Sequence, residues 1–72
     1  MTTHAICINN EVYTASLDVL KVYAVLPPES GDDALEAVRV VDESGEDYLY
    51  PREYFEPVAV SETVAALVEQ QR

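Results

Sequence analysis

The sequence predicts a small, mainly β domain in which five short strands form a barrel, with a 3₁₀ turn before the last strand and a short α-helix at the C-terminus. Short runs rich in Val, Ile and Tyr recur along the 72 residues, and Gly, Pro, Asn and Asp separate them. The hydrophobic fraction of 49% is enough for one core, and a chain of this length has room for only one. We therefore expect a single domain over residues 1–72, with the barrel at about 4–60 and the helix at about 61–72.

The five predicted strands are separated by residues that turn the chain or stop a sheet ladder. Asn9 and Asn10 favour a turn through local side-chain hydrogen bonds, and Pro27 cannot donate to a ladder. Polar residues predict a solvated loop over 27–33, and residues 11–20 form a long first connection. The predicted strands are 5–8, 20–26, 37–41, 48–50 and 58–60.

The segment after the third strand carries the sharpest local signal. Residues 42–47 are polar and acidic with one glycine, Gly45, which suits a hairpin turn that needs a positive φ. Pro51 ends the fourth strand, and residues 52–55 are too few for an α-helix before Pro57. A single 3₁₀ turn is therefore predicted at this point.

An amphipathic helix is predicted from residue 61 to the end of the sequence. Ser61 is a suitable N-cap, and apolar residues at helical spacing share one face. The members of this face are Val60, Val64, Leu67 and Val68. The helix either caps an open end of the barrel, since a lone short helix is unstable without packing, or docks this face on another chain.

Residues 51–57, with the sequence PREYFEP, resemble the segment of SH3 domains in which a proline, two small or polar residues, a tyrosine and an apolar residue precede the last strand. Gly45 stands where the distal-loop glycine of that family often lies. Residues 20–26 resemble its second strand, and residues 5–9 occupy the place of its opening Ala-Leu-Tyr-Asp-Tyr motif. The similarity covers about four fifths of the chain and implies an SH3-like five-stranded barrel.

The resemblance also implies a ligand surface, because SH3 domains hold proline-rich peptides with aromatic side chains and with the Pro and Tyr of the 3₁₀ segment. Pro51 and Tyr54 match these two positions. Other residues replace the opening aromatics, and the chain has no tryptophan, which argues against orthodox polyproline binding. The run VVDESGEDYLYP, residues 40–51, also resembles a segment of short uncharacterised bacterial proteins, which brings no assigned activity.

The net charge sets the class of partner. Fourteen Asp and Glu against four Lys and Arg give a net charge of −10, which repels phosphate backbones and anionic membranes. We therefore expect a neutral or basic protein or peptide as partner, no nucleic acid and no membrane. A cytoplasmic location is expected, because the sequence opens without a basic and apolar leader and its only thiol, Cys7, excludes an internal disulfide.

No catalytic residue, cofactor site or metal site is predicted. Ser16, Ser30 and Ser44 would need a neighbouring base to act as nucleophiles. The only histidine, His4, lies in an N-terminal segment that we expect to fray. The carboxylates of residues 42–47 lack the alternating ligand pattern of a calcium loop and are expected to form a solvated turn. Cys7 has no basic neighbour in the sequence, so it is expected to fill the core.

Five tyrosines supply the candidate site. Tyr48 and Tyr50 are two positions apart in a predicted strand and therefore share a face, and Tyr54 follows on the 3₁₀ turn. In one interpretation Tyr50 and Phe55 are core and the other tyrosines line the rim with their hydroxyls in water. In the other, the tyrosines form a contact surface. The candidate partner-binding residues are Tyr13, Tyr48, Pro51 and Tyr54. Pro51 and Tyr54 are expected to form one wall of a shallow groove, and Tyr13 with the acids of the first loop is expected to form the opposite wall.

Three functions remain open from the sequence. The leading hypothesis is a non-catalytic protein-interaction module that presents tyrosines in an acidic field. The second is an acidic inhibitor or nucleic-acid mimic that blocks a basic partner, and the third is a self-associating structural subunit. Residues 51–57 favour the module, whereas a mimic should array its acids along one face and here they cluster mainly in two loops.

Overall fold

The chain forms one antiparallel sheet with a short helix packed against it. The computed structural model describes residues 3–29, 31 and 33–70. Its strands are β1 (Thr3–Cys7), β2 (Val22–Leu26), β3 (Ala37–Val41), β4 (Asp47–Pro51) and β5 (Phe55–Val58), and its helix α1 is Glu62–Gln70. In this described part of the chain the strand order is β4-β3-β2-β1-β5, so β4 and β5 are the edges of a sheet that does not close.

The predicted mainly β class is confirmed, together with the 3₁₀ turn at Arg52–Tyr54 and the C-terminal helix. β3 has the predicted bounds, since its apolar run is flanked by polar residues on both sides. β1 begins two residues before the predicted strand and ends one residue earlier. His4 therefore pairs with Ala24 and Val58 in the sheet, so the expectation of a frayed segment is wrong for His4.

The last strand differs most from its prediction. β5 begins at Phe55 rather than at residue 58, and Pro57 lies within the strand instead of preceding it. Proline is tolerated in an edge strand where its missing N–H faces away from the neighbouring strand. A second difference is the 3₁₀ turn Asp33–Leu35, which begins at the last residue of the predicted loop. Residues 30 and 32 of that loop lie outside the described residues.

β2 starts later than predicted because a β-bulge precedes it. The Leu20 N–H donates to the carbonyl oxygen of Cys7 at 2.7 Å, and the Cys7 N–H donates to the carbonyl oxygen of Lys21 at 2.9 Å. Two residues of one segment thus oppose one residue of the other. Leu20 has a φ of 69°, in the left-handed region. The regular ladder begins only at Val22.

The core lies on one face of the sheet and takes one residue from the first loop. Its buried members are Ala5, Cys7, Leu17, Tyr23, Val40, Tyr50 and Phe55. Leu17 is fully buried although it lies outside every strand. Cys7 is fully buried as expected, and burial raises the pKa of its thiol. The first loop is therefore a structural part of the core and not only a surface connection.

The helix begins at the predicted cap but presents a different face. The Ser61 hydroxyl accepts a hydrogen bond from the Val64 N–H at 3.2 Å, and the Ser61 carbonyl oxygen accepts one from Ala65 at 2.9 Å. The half-buried positions are Ala65 and Val68, whereas Val64 and Leu67 are exposed. Of the predicted apolar face, Val60 and Val68 are half-buried as expected, whereas the prediction is wrong for Val64 and Leu67.

The helix covers the face of the sheet opposite to the core. Val68 lies beside Val22, Ala24 and Val41 in a shallow depression. Ala24 and Val41 are buried even though their neighbours in sequence point into the core. α1 therefore packs against β2 and not against an end of the strands. None of the helices in the described ranges is long and apolar enough to cross a membrane.

Candidate interaction surface

A hydrogen-bonded turn in the first loop positions Tyr13. The Tyr13 N–H donates to the carbonyl oxygen of Asn10 at 2.7 Å, and the N–H groups of Ser16 and Leu17 donate to that of Tyr13 at 3.0 and 2.9 Å. The turn directs Leu17 into the core and leaves the Tyr13 ring half-buried above it. Leu17, which the sequence analysis did not single out, is the anchor that fixes this tyrosine.

The ring of Tyr13 contacts two other tyrosines edge to face. Its centroid lies 4.9 Å from that of Tyr50 at an interplanar angle of 88°, and 6.0 Å from that of Tyr54 at 67°. Tyr50 in turn packs on Phe55 at 6.2 Å, so the group is continuous with the core. Such pairs add about 0.5–1.5 kcal/mol beyond the area they bury. The structure therefore brings together Tyr13 and Tyr54 from elements that are distant in sequence.

A backbone hydrogen bond fixes Tyr54 at the end of the 3₁₀ turn, whereas Pro51, just before the turn, faces a different depression. The Ile8 N–H donates to the carbonyl oxygen of Tyr54 at 2.8 Å, which fastens the turn to the end of β1. Pro51 lines an open depression of about 560 Å³ together with Leu35 and Leu49. Neither Tyr13 nor Tyr54 lines that depression. Pro51 is therefore close to Tyr54 in sequence, but its ring lines the neighbouring depression.

The charges of two carboxylates act on Tyr54. Partial burial, the charges of Glu11 and Glu53, and the neighbouring Tyr13 phenol all raise the pKa of Tyr54. The phenol therefore stays neutral and can donate a hydrogen bond well above neutral pH. The same field favours a cationic group next to the rings, since a cation is attracted both by the carboxylates and by aromatic faces.

Two tyrosines lie outside the contact between Tyr13 and Tyr54. Tyr48 is 51% exposed and makes no ring contact with any residue in the described ranges, although it shares a strand with Tyr50. Tyr23 is buried, so the interpretation that places every tyrosine other than Tyr50 at a wet rim is wrong for this residue. Tyr50 and Phe55 are core, as that interpretation expected.

The acidic turn between β3 and β4 is not a solvated turn at its first residue. Asp42 is buried, and its Oδ1 accepts hydrogen bonds from the N–H and the hydroxyl of Ser44, while its Oδ2 accepts one from the Tyr50 hydroxyl at 2.5 Å. Burial alone would raise the pKa of Asp42, but these hydrogen bonds outweigh it and hold that pKa below its usual value. Burial and the bond to Asp42 raise the pKa of Tyr50 to about 12. The Asp-x-Ser spacing is the sequence signal for such a turn.

Glu43 joins the acidic turn to the first loop. Its Oε2 accepts hydrogen bonds from the Lys21 ammonium and from the Tyr23 hydroxyl, both at 2.6 Å. The Tyr23 hydroxyl also accepts the Asp18 N–H at 2.7 Å, and the Glu43 N–H donates to the carbonyl oxygen of Ser16 at 3.0 Å. The bond from Lys21 is the main reason that the pKa of Glu43 is lowered. The base of the loop that carries Tyr13 is thereby held rigidly.

Comparison with family models, curated proteins and solved structures gave no match to this chain. Among the described residues, no group of three or more His, Cys, Asp and Glu side chains could hold a metal ion. The arrangement at Tyr13 and Tyr54 offers apolar ring area, hydroxyl donors and nearby negative charge, which are the features of a binding surface.

Proposed function

We propose that this chain is a non-catalytic protein-interaction module that binds a neutral or basic, extended peptide segment on the surface of Tyr13 and Tyr54. The observation that carries the proposal is the edge-to-face contact of these two half-buried rings, anchored on the buried Tyr50. Tyrosine gives a large contact area with few rotatable bonds and keeps a polar tip, so it suits a surface that alternates between free and bound states.

The charge around the rings selects the chemistry of the partner. Glu11 and Glu53 lie close enough to influence the Tyr54 phenol, and the chain as a whole has a net charge of −10. A partner that carries Lys or Arg next to an apolar edge satisfies both the rings and the carboxylates. Pro51 extends the surface toward its own depression, whereas Tyr48 lies apart from it.

The proposed architecture is an SH3-like barrel whose strands have splayed at one side. Its support is the antiparallel order β4-β3-β2-β1-β5, the long first loop and the 3₁₀ turn immediately before β5. In that architecture Pro51 and Tyr54 are the ligand-contact positions. A cytoplasmic setting belongs to the same proposal, and its support is the single buried thiol of Cys7.

The acidic turn favours a module over a mimic of nucleic acid. A mimic presents its carboxylates to a basic groove, but Asp42 and Glu43 are already engaged by hydrogen bonds within the chain. Their role is to hold the turn and the first loop in place. The remaining exposed acids steer a basic partner without being arrayed along one face.

The proposal is tested by NMR titration with a short peptide of repeated Pro-Pro-Lys triplets. We expect the signals of Tyr13, Pro51 and Tyr54 to shift together, with a dissociation constant on the order of 1 mM, because the surface has no tryptophan anchor. Tyr54→Ala should weaken binding about tenfold while the other amide signals keep their dispersion.

Tyr48→Ala is the matched control, because it removes a tyrosine outside the ring contacts and should change the affinity by less than about twofold. Shifts confined to Val64, Leu67 and Val68 would instead make the helix the interface. Light scattering of the free protein at several concentrations separates a module from a self-associating subunit, whose apparent mass would rise with concentration.

A further inference from the structure

The hydrogen-bond pattern of β4 turns half of its backbone groups away from the sheet. The bonds at the two ends of the β3–β4 ladder run from the Asp42 N–H to the carbonyl oxygen of Glu46 (3.1 Å) and from the Arg52 N–H to that of Glu36 (3.0 Å). Bonded pairs alternate along an antiparallel ladder in this register, so Tyr48 and Tyr50 bond with β3. Asp47, Leu49 and Pro51 therefore direct their backbone groups outward.

The two edges of the sheet differ in what they offer to another strand. At the β4 edge the N–H groups of Asp47 and Leu49 have no hydrogen-bond partner within residues 3–29, 31 and 33–70. At the β5 edge the outward Phe55 N–H donates to the carbonyl oxygen of Arg52, and Pro57 has no N–H. Proline and internal pairing are ways in which proteins close an edge to further pairing. Of these two edges, as far as the described residues show, β4 alone keeps outward donors in the register of a strand.

We propose that the β4 edge is a second binding surface, on which a basic peptide adds as a further strand. Asp47 and Tyr48 are exposed and Leu49 is half-buried, so an extended segment can approach the edge. Backbone hydrogen bonds supply the attraction in this mode of recognition, and alternate side chains supply the selectivity. The site is separate from the Tyr13 and Tyr54 surface, and it does not depend on the function proposed for that surface.

The side chains of the edge define the composition of the added strand. Asp47 and Leu49 project to one face of β4, and Tyr48 projects to the other, where it is 51% exposed. Glu46 stands just before the strand, and Arg52 and then Glu53 follow it. Asp47 pairs with Arg39 at 3.3 Å, but its side chain remains 42% exposed. A Lys of the added strand can therefore join this pair opposite Asp47, and apolar residues of the strand lie opposite Tyr48. A second copy of this chain has the same net charge of −10 and would bring acids against acids, so a basic peptide is the occupant.

The test uses an acetylated and amidated peptide of alternating Lys and Val, followed by amide hydrogen exchange. In the free protein the Tyr48 amide should exchange slowly, because it bonds with β3, and the Asp47 and Leu49 amides should exchange fast. Saturation with the peptide should slow the exchange of the Asp47 and Leu49 amides by about tenfold or more. Slow exchange of these two amides in the free protein would show that the edge is already closed and would overturn the proposal.

Two matched controls separate strand addition from simple attraction of charge. The same peptide with N-methyl groups on alternate residues keeps its charge but cannot pair with the edge, and its affinity should be at least about tenfold lower. Equal binding of both peptides would overturn the proposal. Leu49→Pro removes one outward donor without touching the β3 ladder and should weaken binding more than Leu49→Ala, which shortens the same side chain but keeps the donor. Equal losses in these two variants would overturn the proposal.

The location of the spectral changes decides between this edge and the alternatives. Tyr54→Ala should leave the Lys-Val peptide bound at β4, so failure of the tyrosine surface and failure of the edge are distinguishable. Shifts centred on Tyr13 and Tyr54 would overturn the assignment to β4. Protection of the Asp47 and Leu49 amides that grows with protein concentration, with no peptide present, would identify a second copy as the occupant and would equally overturn it.

Discussion

The carboxylate of Asp42 anchors the acidic turn to the core. Desolvating a charge is costly unless it is hydrogen-bonded, and both oxygens of this carboxylate accept bonds, one of them from the buried Tyr50 hydroxyl. Hydrogen bonds to a charged acceptor are shorter and stronger than those between neutral groups. The turn is therefore held by a contact between its first residue, Asp42, and Tyr50 in β4.

Replacing Tyr50 with Phe removes the donor to Asp42 while leaving an aromatic ring in the core. We expect Tyr50→Phe to lower the free energy of unfolding by about 2 kcal/mol at neutral pH, because a hydrogen bond to a charged group contributes about 1.5–3 kcal/mol. Urea unfolding measures this change. Tyr48→Phe is the matched control, since its hydroxyl is at an exposed side chain, and its effect should stay below about 0.5 kcal/mol. Equal losses in the two variants would contradict the role of Asp42.

The same pair gives stability a defined dependence on acid. The pKa of Asp42 is lower in the folded chain than in the unfolded chain, so its contribution is present above the unfolded pKa of about 4 and is lost as the pH falls through the folded value. The lowered pKa of Glu43 acts with the same sign. The stability difference between the parent chain and Tyr50→Phe should therefore narrow below about pH 4. A difference that stays constant down to about pH 2 would exclude this linkage.

Leu20 occupies a backbone conformation that suits glycine. Its φ of 69° lies in the left-handed region, which costs a bulky residue about 1 kcal/mol, and its side chain is 73% exposed and gains little from burial. We expect Leu20→Gly to raise the free energy of unfolding by up to about 1 kcal/mol. Leu35→Gly is the control, because Leu35 is similarly exposed but has no positive φ. This variant should have a free energy of unfolding about 0.5–1 kcal/mol lower than that of the parent chain. A loss of stability in Leu20→Gly that equals the control's would contradict the assigned strain.

The residues of the acidic turn also show where sequence reasoning stops. The acidic composition of residues 42–47 predicts a hairpin turn, which the structure contains, but composition does not reveal that Glu43 meets Tyr23, twenty positions away. Tyr13 and Tyr54 could be selected as candidate residues from their type and from the SH3 resemblance. Their contact depends on the buried Leu17 turn, which is a tertiary feature without a local pattern.

At the scale of elements, α1 is an integral cover of the sheet. Ala24 and Val41 lie on the face opposite to the core and are nevertheless buried, and Val68 shares their depression. A nine-residue helix is too short to be stable alone in water, so its packing against β2 maintains it. Removing the apolar contact of α1 should therefore destabilise both the helix and the sheet face beneath it.

Two single substitutions at neighbouring positions test this packing. Val68→Glu places a charge against Ala24 and Val41, and we expect it to lower the free energy of unfolding by about 2 kcal/mol, since burial of one aliphatic side chain contributes about 1.5–3 kcal/mol. Leu67→Glu makes the same kind of change at a position that is 51% exposed, and its effect should stay below about 0.5 kcal/mol. Thermal unfolding followed by circular dichroism measures both. Similar melting temperatures for the two variants would show that α1 is a free arm.

The elements were predictable to the extent that local signals determine them. The apolar run of β3 and the proline-bounded 3₁₀ turn have the expected positions because neighbouring polar residues and prolines define them locally. β5 was misplaced because Phe55 was assigned to the 3₁₀ turn and the strand was predicted to begin only after Pro57. Proline is permitted there only because β5 is an edge strand, and the position of a strand within a sheet is a property of the topology and not of the local sequence.

At the scale of the whole molecule, the dominant feature is unbalanced charge on a small body. The net charge of −10 is carried by a molecule whose principal extents are 33 × 26 × 20 Å. Charges on opposite sides of the molecule therefore interact when the Debye length approaches about 30 Å, and this repulsion opposes the compact state. The ion pairs act at a different range, since Lys21 with Glu43 and Arg39 with Asp47 are 2.6 and 3.3 Å apart.

This difference in range predicts the direction of the salt effect. Raising NaCl from about 0.01 M to about 0.1 M shortens the Debye length from about 30 Å to about 10 Å, which screens repulsion across the molecule but leaves the close ion pairs largely intact. Chemical unfolding with urea, which is uncharged, should therefore give a larger free energy of unfolding at the higher salt concentration. The double variant Glu53→Gln and Glu56→Gln removes two exposed negative charges and should show a smaller gain. A stability that stays flat or falls with salt would mean that the ion pairs outweigh the long-range repulsion.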